Sequence, residues 1–207
     1  MDQQFDPRNV LTAMHHKVTG ELLHLMDGFY SNIEDGLFEL AFRDDDDSEQ
    51  RHCFDLMREM RYRRTNLIQT FAKRMQKSLE GWFTDIPPAN DHSDELAALA
   101  RGMSEKCSSH FNILLQNIVE RTAYATERDT SRTELPISPY HISYCFVLSC
   151  RSLEFDKHSI EIVQELFSRF VLDRLGSVYG ECNQRLEDAG FFTMRDVSDL
   201  DQLVTSA

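Results

Sequence analysis

Apolar residues three and four apart run through most of this chain, and little interrupts them. The first stripe reads Leu22, Met26, Phe29, Ile33, Leu37, Leu40, and the second Phe54, Met57, Arg61, Arg64, Ile68, Phe71, Met75, Leu79, Trp82. That spacing lines one face of an α-helix. Only 8 Gly and 5 Pro occur among 207 residues, so helices can run long. No stretch alternates with period two, and no sheet is expected. The pattern predicts an all-α bundle of about five helices whose two long N-terminal helices pair antiparallel.

Punctuation sets the expected boundaries. A single helical domain spans 1–192, with a long hairpin over 9–83 and further helices over 93–128, 139–153 and 157–189. Residues 1–8 are expected to fray. The Asp44–Asp47 run reads as an exposed loop, because four adjacent carboxylates repel one another, and Ser48 as the cap of the second helix. Pro87-Pro88 stops that helix, and a polar linker leads to Ser93, the expected third cap. The third helix carries Leu96, Leu99, Met103, Phe111, Leu114 or Leu115, and Ile118. Thr126–Pro136 reads as a loop. Ser138 and Pro139 open the fourth helix, Asp156 caps the fifth, and Gly190 ends it. The acidic segment 193–207 is expected to be a disordered tail. Gly20, Gly28 and Gly36, eight apart, allow close packing, a kink, or simple tolerance at about 1 kcal/mol each.

Composition narrows the function classes. A net charge of −13 repels nucleic-acid backbones and anionic membranes at long range. The polar start, Met1 to Val10, is no signal peptide, and no run approaches the ~18 apolar residues of a membrane helix. Five cysteines (Cys53, Cys107, Cys145, Cys150, Cys182) form an odd set without CxxC, which points to reduced thiols and a cytoplasmic setting.

Several pairs resemble ligand or catalytic units. Glu21/His24 and Glu49/His52 have the i, i+3 spacing of di-iron carboxylate sites. In an antiparallel hairpin, however, they lie roughly 20 Å apart along the axis. Cys107/His110 and His141/Cys145 could supply zinc ligands, but a helical Cys more often packs as a small hydrophobe. No HExxH, GxSxG, GxGxxG or Walker lysine motif occurs. The expectation is therefore no catalytic residue, no metal and no cofactor.

The densest charge feature is basic. From Met57 to Lys77 there are seven basic residues, Arg58, Arg61, Arg63, Arg64, Lys73, Arg74 and Lys77, against one acid, Glu59. Arg61 and Arg64 fall on the apolar stripe, where an unpaired charge would cost several kcal/mol. They are expected to meet carboxylates, with Asp35 and Glu39 as candidates. Alternatively Arg58, Arg63, Arg64, Lys73, Arg74 and Lys77 form an anion site for nucleic acid or a nucleotide.

Three segments resemble the bacterial family grouped as domain of unknown function 1631. The segment Phe29–Phe71, which holds FYSNIEDGLFELAF and MREMRYRR, is similar to that family's DDALFELA helix and the F–MRELR–RR helix after it. The matching positions are Asp35, Leu37, Phe38, Glu39, Leu40 and Ala41, then Phe54, Met57, Arg58, Glu59, Arg61 and Arg64. ISPYHISYCF (Ile137–Phe146) and ELFSRFVLDRLGSVYGECNQRLEDAGFF (Glu165–Phe192) match two further helices. The resemblance implies a helical N-terminal part of longer proteins, some ending in a PilZ-like segment. It implies no established activity: the thymidine phosphorylase label on some members lacks that enzyme's motifs. A role seated in the later segment, such as cyclic-dinucleotide sensing, does not carry over to these residues.

The favoured expectation is a non-enzymatic interaction or regulatory module acting through a protein partner or self-association, since five amphipathic helices need not cover all their apolar faces internally. Anion binding through 58–77 is the alternative, and an enzyme using His and Cys residues of the third and fourth helices the further one. No membrane contact is expected.

Overall fold

The computed structural model describes residues 6–43, 46–83, 94–126, 135–151, 153, 155–194 and 196. Among them are seven α-helices and no strand: α1 (Pro7–Ala41), α2 (Asp47–Lys77), α3 (Asp94–His110), α4 (Asn112–Thr126), α5 (Pro139–Cys150), α6 (Lys157–Phe170) and α7 (Leu175–Asp188). Short 3-10 turns follow α2 (Ser78–Trp82) and precede α7 (Leu172–Arg174). The fold is an all-α bundle.

Asp6 caps α1 by accepting from the Arg8 N–H at 2.9 Å, with Pro7 in the first turn, so the helix starts two residues before the expected Asn9. Asp46, not Ser48, caps α2, accepting from Ser48 N at 2.8 Å. Ser138 and Asp156 cap α5 and α6 as expected, accepting from His141 N and Ser159 N. Gly190 takes φ +82° at the end of α7, and the Phe191 N–H returns to the Leu186 carbonyl at 2.9 Å. This is the six-to-one bond of a Schellman stop. Asp44 and Asp45, the Pro87-Pro88 linker, Ser93, most of the Thr126–Pro136 loop, and 197–207 lie outside the described residues.

The two long helices run antiparallel, because partner numbers fall as position rises: His15 reaches Met75, Asp27 Arg64, Glu34 Arg61 and Phe38 Phe54. α1 buries Leu11, Met14, Val18, Leu22, Met26, Phe29, Ile33 and Leu37, the expected stripe extended by three turns. α1 also packs on α6 and α7, while α5 lies between α2 and α3. Phe29 meets Phe146 of α5 and Phe167 of α6 edge-on, each at 5.9 Å, and those two rings stack at 3.7 Å. α5 is buried almost all round, from Pro139 through Ser149 except Tyr140.

Three expectations are corrected. The buried face of α2 reads Cys53, Leu56, Met60, Leu67, Phe71, Met75, so the expected stripe is displaced by one residue over its first half. The helix expected over 93–128 divides at Phe111, although i→i+4 bonds from Phe111 N to Cys107 O and Leu115 N to Phe111 O span the join. The break places the Phe111 ring against Gly176 of α7, where a Cβ would lie 2.8 Å from it. The helix expected over 157–189 likewise divides into α6, the turn and α7.

The spaced glycines differ. A Cβ on Gly36 would meet Leu166 at 2.8 Å, so α1 and α6 approach closely there. Gly20 is exposed, and a Cβ added to it would have nothing within 4 Å, so only helix propensity acts. Gly20→Ala should therefore stabilise the fold by roughly 0.5–1 kcal/mol. Urea melts read this directly, and a lowered midpoint would contradict it.

Candidate functional site

The arginines of α2 meet carboxylates on α1, but not the expected ones. Arg61 makes a two-pronged contact with Glu34, Nε to Oε1 at 2.8 Å, and Arg64 bonds Asp27. Asp35 is exposed, and Glu39 faces Arg169 of α6 at 3.6 Å. The reason is the one-residue displacement: Arg61 and Arg64 flank the seam, with side chains 66% and 39% exposed. The hydrogen bond from Arg61 holds the Glu34 carboxyl below its usual range. Such exposed pairs are worth only about 0–1 kcal/mol each.

The remaining basic residues divide. Arg58 pairs with Asp55 at 3.0 Å and Arg63 with Glu59 at 2.9 Å, both within α2. Lys73 and Lys77 are exposed, with no carboxylate partner among the described residues. Arg74 is half-buried and its Nε has no hydrogen-bond partner. The structure thus does not gather the six anion-site candidates into one open cationic patch.

The ligand-like pairs also separate. Glu21 bonds Lys17 at 2.7 Å and His24 is exposed. Glu49 instead receives His158 of α6, whose Nε2 is 2.8 and 3.0 Å from its oxygens, and this bond raises the His158 pKa. His52 Nε2 lies 3.1 Å from Ser159 Oγ. These contacts tie the start of α2 to the start of α6. Cys107 donates to the Leu172 carbonyl at 3.3 Å, and His110 packs on the Phe111 ring. His141 Nε2 and Cys145 Sγ lie 3.4 Å apart, yet both are buried. Burial pushes His141 down to about 4 and Cys145 up to about 12. The pair is neutral and sealed, the reverse of an activated thiolate. Among the described residues no three His, Cys, Asp or Glu are placed to hold a metal ion.

Two buried polar networks involve residues that the sequence reading does not single out. His15 is fully buried on α1; its Nε2 bonds the Met75 carbonyl at 2.8 Å, and its Nδ1 accepts from the Trp82 indole N–H at 2.9 Å. Since the indole only donates, the ring is the neutral Nε2–H tautomer. Burial lowers its pKa. Arg121 of α4 is 4% exposed and donates to the Phe191 carbonyl (3.1 Å), Asn183 (2.8 Å), Glu187 (3.2 Å) and Asp196 (2.7 Å). Thr193 and Asp196 exchange the reciprocal bonds of a capping box. Order therefore extends past the expected boundary at 192, and Thr193 is buried.

A cavity of about 220 Å³ lies between α3, α5 and α6, lined by Leu96, Leu99, Phe146, Cys150, Phe155 and Gln164 among others. Burial pushes the Cys150 thiol up to about 12, so it is no nucleophile there.

Among the described residues, exposed aromatic rings come into mutual contact at the hairpin tip. Phe38 and Phe42 at the end of α1 and Phe54 near the start of α2 are 54%, 55% and 42% exposed. Their centroids lie 4.7, 6.4 and 6.3 Å apart, so they form one continuous cluster at the hairpin tip. The sequence pattern places Phe54 on the core stripe and leaves Phe38 and Phe42 unassigned. A signal is present all the same: α1 buries Ile33, Leu37 and Ala41 on its core face, and Phe38 and Phe42, four apart, lie on another.

No curated protein and no solved structure matches the chain significantly. The family described as protein of unknown function (DUF1631), N-terminal domain, matches residues 6–190, nearly the whole described bundle. The chain belongs to the DUF1631 family, and its bundle is that family's N-terminal domain.

Proposed function

We propose that this domain is a non-enzymatic interaction module that works in the cytoplasm and presents the Phe38, Phe42 and Phe54 cluster to a protein partner. The observation that carries the reading is the exposure of three touching aromatic rings at the tip of an otherwise well-packed hairpin. Their exposed fractions correspond to roughly 300 Å² of aromatic surface, the scale on which apolar patches serve as contact sites. Aromatic side chains dominate contact energies because they bury much area with little rotamer entropy. The polar groups that could have done chemistry support the same view, since His141 and Cys145 are buried, neutral and packed. All five cysteines are free and four are buried, which accords with a reducing compartment. Among the described residues no helix is long and apolar enough to cross a membrane.

Replacing all three phenylalanines by serine should leave the domain folded at a cost on the order of 1 kcal/mol per ring, because about half of each ring is covered, in part by the other two. The triple variant should lose proteins that the wild-type domain retains from lysate, or lose self-association seen by light scattering. Identical capture profiles, with both proteins strictly monomeric, would remove the basis of this function.

A further inference from the structure

We propose that the cavity between α3, α5 and α6 is a binding site for a small neutral ligand with an apolar ring body and one hydrogen-bond acceptor. The way α3 docks leaves the space open. Ala97 and Ala100 of α3 lie against Tyr144 and Leu148 of α5, in a small apolar cluster separate from the main core. Leu96 and Leu99 are therefore only half-buried, and with Phe146 of α5 and Ile160 and Val163 of α6 they line a space of about 220 Å³. Protein interiors hold few voids larger than a water molecule, so packing alone does not favour one of this size. Benzene fills an engineered apolar cavity of about 150 Å³. On that scale this cavity takes two fused rings. Water competes poorly, because a held water needs two to four polar partners and these walls are built mainly of Leu, Ile, Val and Phe.

Polar side chains set the rest of the ligand. Gln164 lies on α6 four residues after Ile160, on the same face, and lines the cavity. Its Nε2 is buried with no hydrogen-bond partner. The terminal amide torsion is soft, so a small turn brings that N–H to an acceptor oxygen on the ligand. Binding then relieves an unmet donor. Glu95 and Arg151 are the exposed members of the lining. Their charges are opposite, so an ionised ligand would meet a like charge there and lose its own hydration. The site shares no residue with the Phe38, Phe42 and Phe54 cluster and does not rest on the function proposed for it.

The full chain is titrated with 1-indanone, a fused-ring ketone, and with indane, which lacks the oxygen. Methyl NMR spectra report where each one binds. Indanone should bind with a dissociation constant below about 1 mM and shift the Leu99, Ile160 and Val163 methyls most. Gln164→Leu should weaken indanone about fivefold relative to indane, the size of one hydrogen bond. Indane-1-carboxylate should bind at least about tenfold more weakly than indanone. Ile160→Trp and Leu99→Trp each fill the space from a different helix at a half-buried position, and either should abolish binding. Circular dichroism melts identify the folded variants, and the Gln164→Leu comparison needs neither tryptophan. Replacing Phe38, Phe42 and Phe54 by serine should leave indanone binding unchanged, since those rings lie outside the cavity. No shift of the lining methyls at the solubility limit of indanone overturns the site, as does unchanged binding in a folded tryptophan variant. Loss of binding in the triple serine variant also overturns it, by assigning the ligand to the exposed rings. An unchanged indanone-to-indane ratio in Gln164→Leu, or a carboxylate that binds as well as the ketone, overturns the ligand class.

Discussion

Arg121→Ala should cost about 3 kcal/mol of folding stability, the lower end of what breaking a buried ionic network costs. The guanidinium makes four hydrogen bonds from a position 4% exposed, to α7 and to the segment that follows it. Its removal strips Asn183 Oδ1 of its donor inside the protein, where an unmet acceptor costs about 1–3 kcal/mol, and takes one donor from the Phe191 carbonyl. Glu187 and Asp196 suffer less, because both reach water. Arg121→Lys should recover only part of the loss, since one ammonium cannot span four acceptors in the planar fork geometry. Arg61→Ala is the matched control: its pair with Glu34 is exposed, and the cost should stay within about 1 kcal/mol. Urea melts measure all three variants. Amide exchange should also show the Thr193 and Asp196 N–H groups, bonded within the capping box, losing protection in Arg121→Ala. A loss under about 1 kcal/mol would show that the network is ornamental.

Lowering the pH from 7.5 to 5 should destabilise the domain by about 2 kcal/mol through His141 alone, at about 1.4 kcal/mol per unit. His141 has its pKa depressed to about 4 by burial, so below about 6.5 the unfolded chain takes up a proton that the native state refuses. Stability is therefore complete above that value and falls until the native ring itself titrates. His15 acts in the same direction, because burial lowers its pKa as well, and its protonation would set an N–H against the Trp82 indole donor. His158 acts oppositely: its pKa is raised by Glu49, so its contribution is present below about 6.5 and lost as pH rises through the native value. That side chain is half exposed, and its effect should be small. The depressed carboxyls of Glu34, Asp156 and Asp196 enter only at lower pH, below about 4.5. Stability measured by urea at successive pH values should therefore slope upward from 5 to 6.5, and His141→Gln should flatten much of the slope. His15→Leu should cost about 3 kcal/mol at pH 7.5, where both its neighbours lose a hydrogen bond. A wild-type profile flat over this range would refute the buried-neutral assignment.

The helices are legible because their cores repeat with a strict spacing. On α1 the stripe from Leu22 to Leu37 is buried as spaced and carries straight into the structure, although Phe38 just beyond it is exposed. On α2 the expected face and the buried face differ. Phe54 is larger than Cys53, and Met57 competes with Leu56, so ranking by bulk rotates the face by one residue until Phe71 and Met75 restore it. That rotation also misdirects the ionic argument. The logic that a cation on an apolar stripe must find acceptors applies to Arg121, which follows Leu114 and Ile118 at helical spacing and is buried. Arg61 and Arg64 lie beside the seam, where water already solvates them. The breaks at Phe111 and after Phe170 carry no Gly or Pro signal, since local hydrogen bonding continues across each and tertiary packing sets the bend. The cluster at the hairpin tip is a property of what remains uncovered. It becomes visible only once the true core face of α2 is known.

The Arg121 fork also governs how the chain leaves the bundle. Because one guanidinium holds Phe191 and Asp196 together, a pull on Asp196 would load α4 as well as the last turn of α7. The segment up to Asp196 is thereby anchored to α4 as well as to α7.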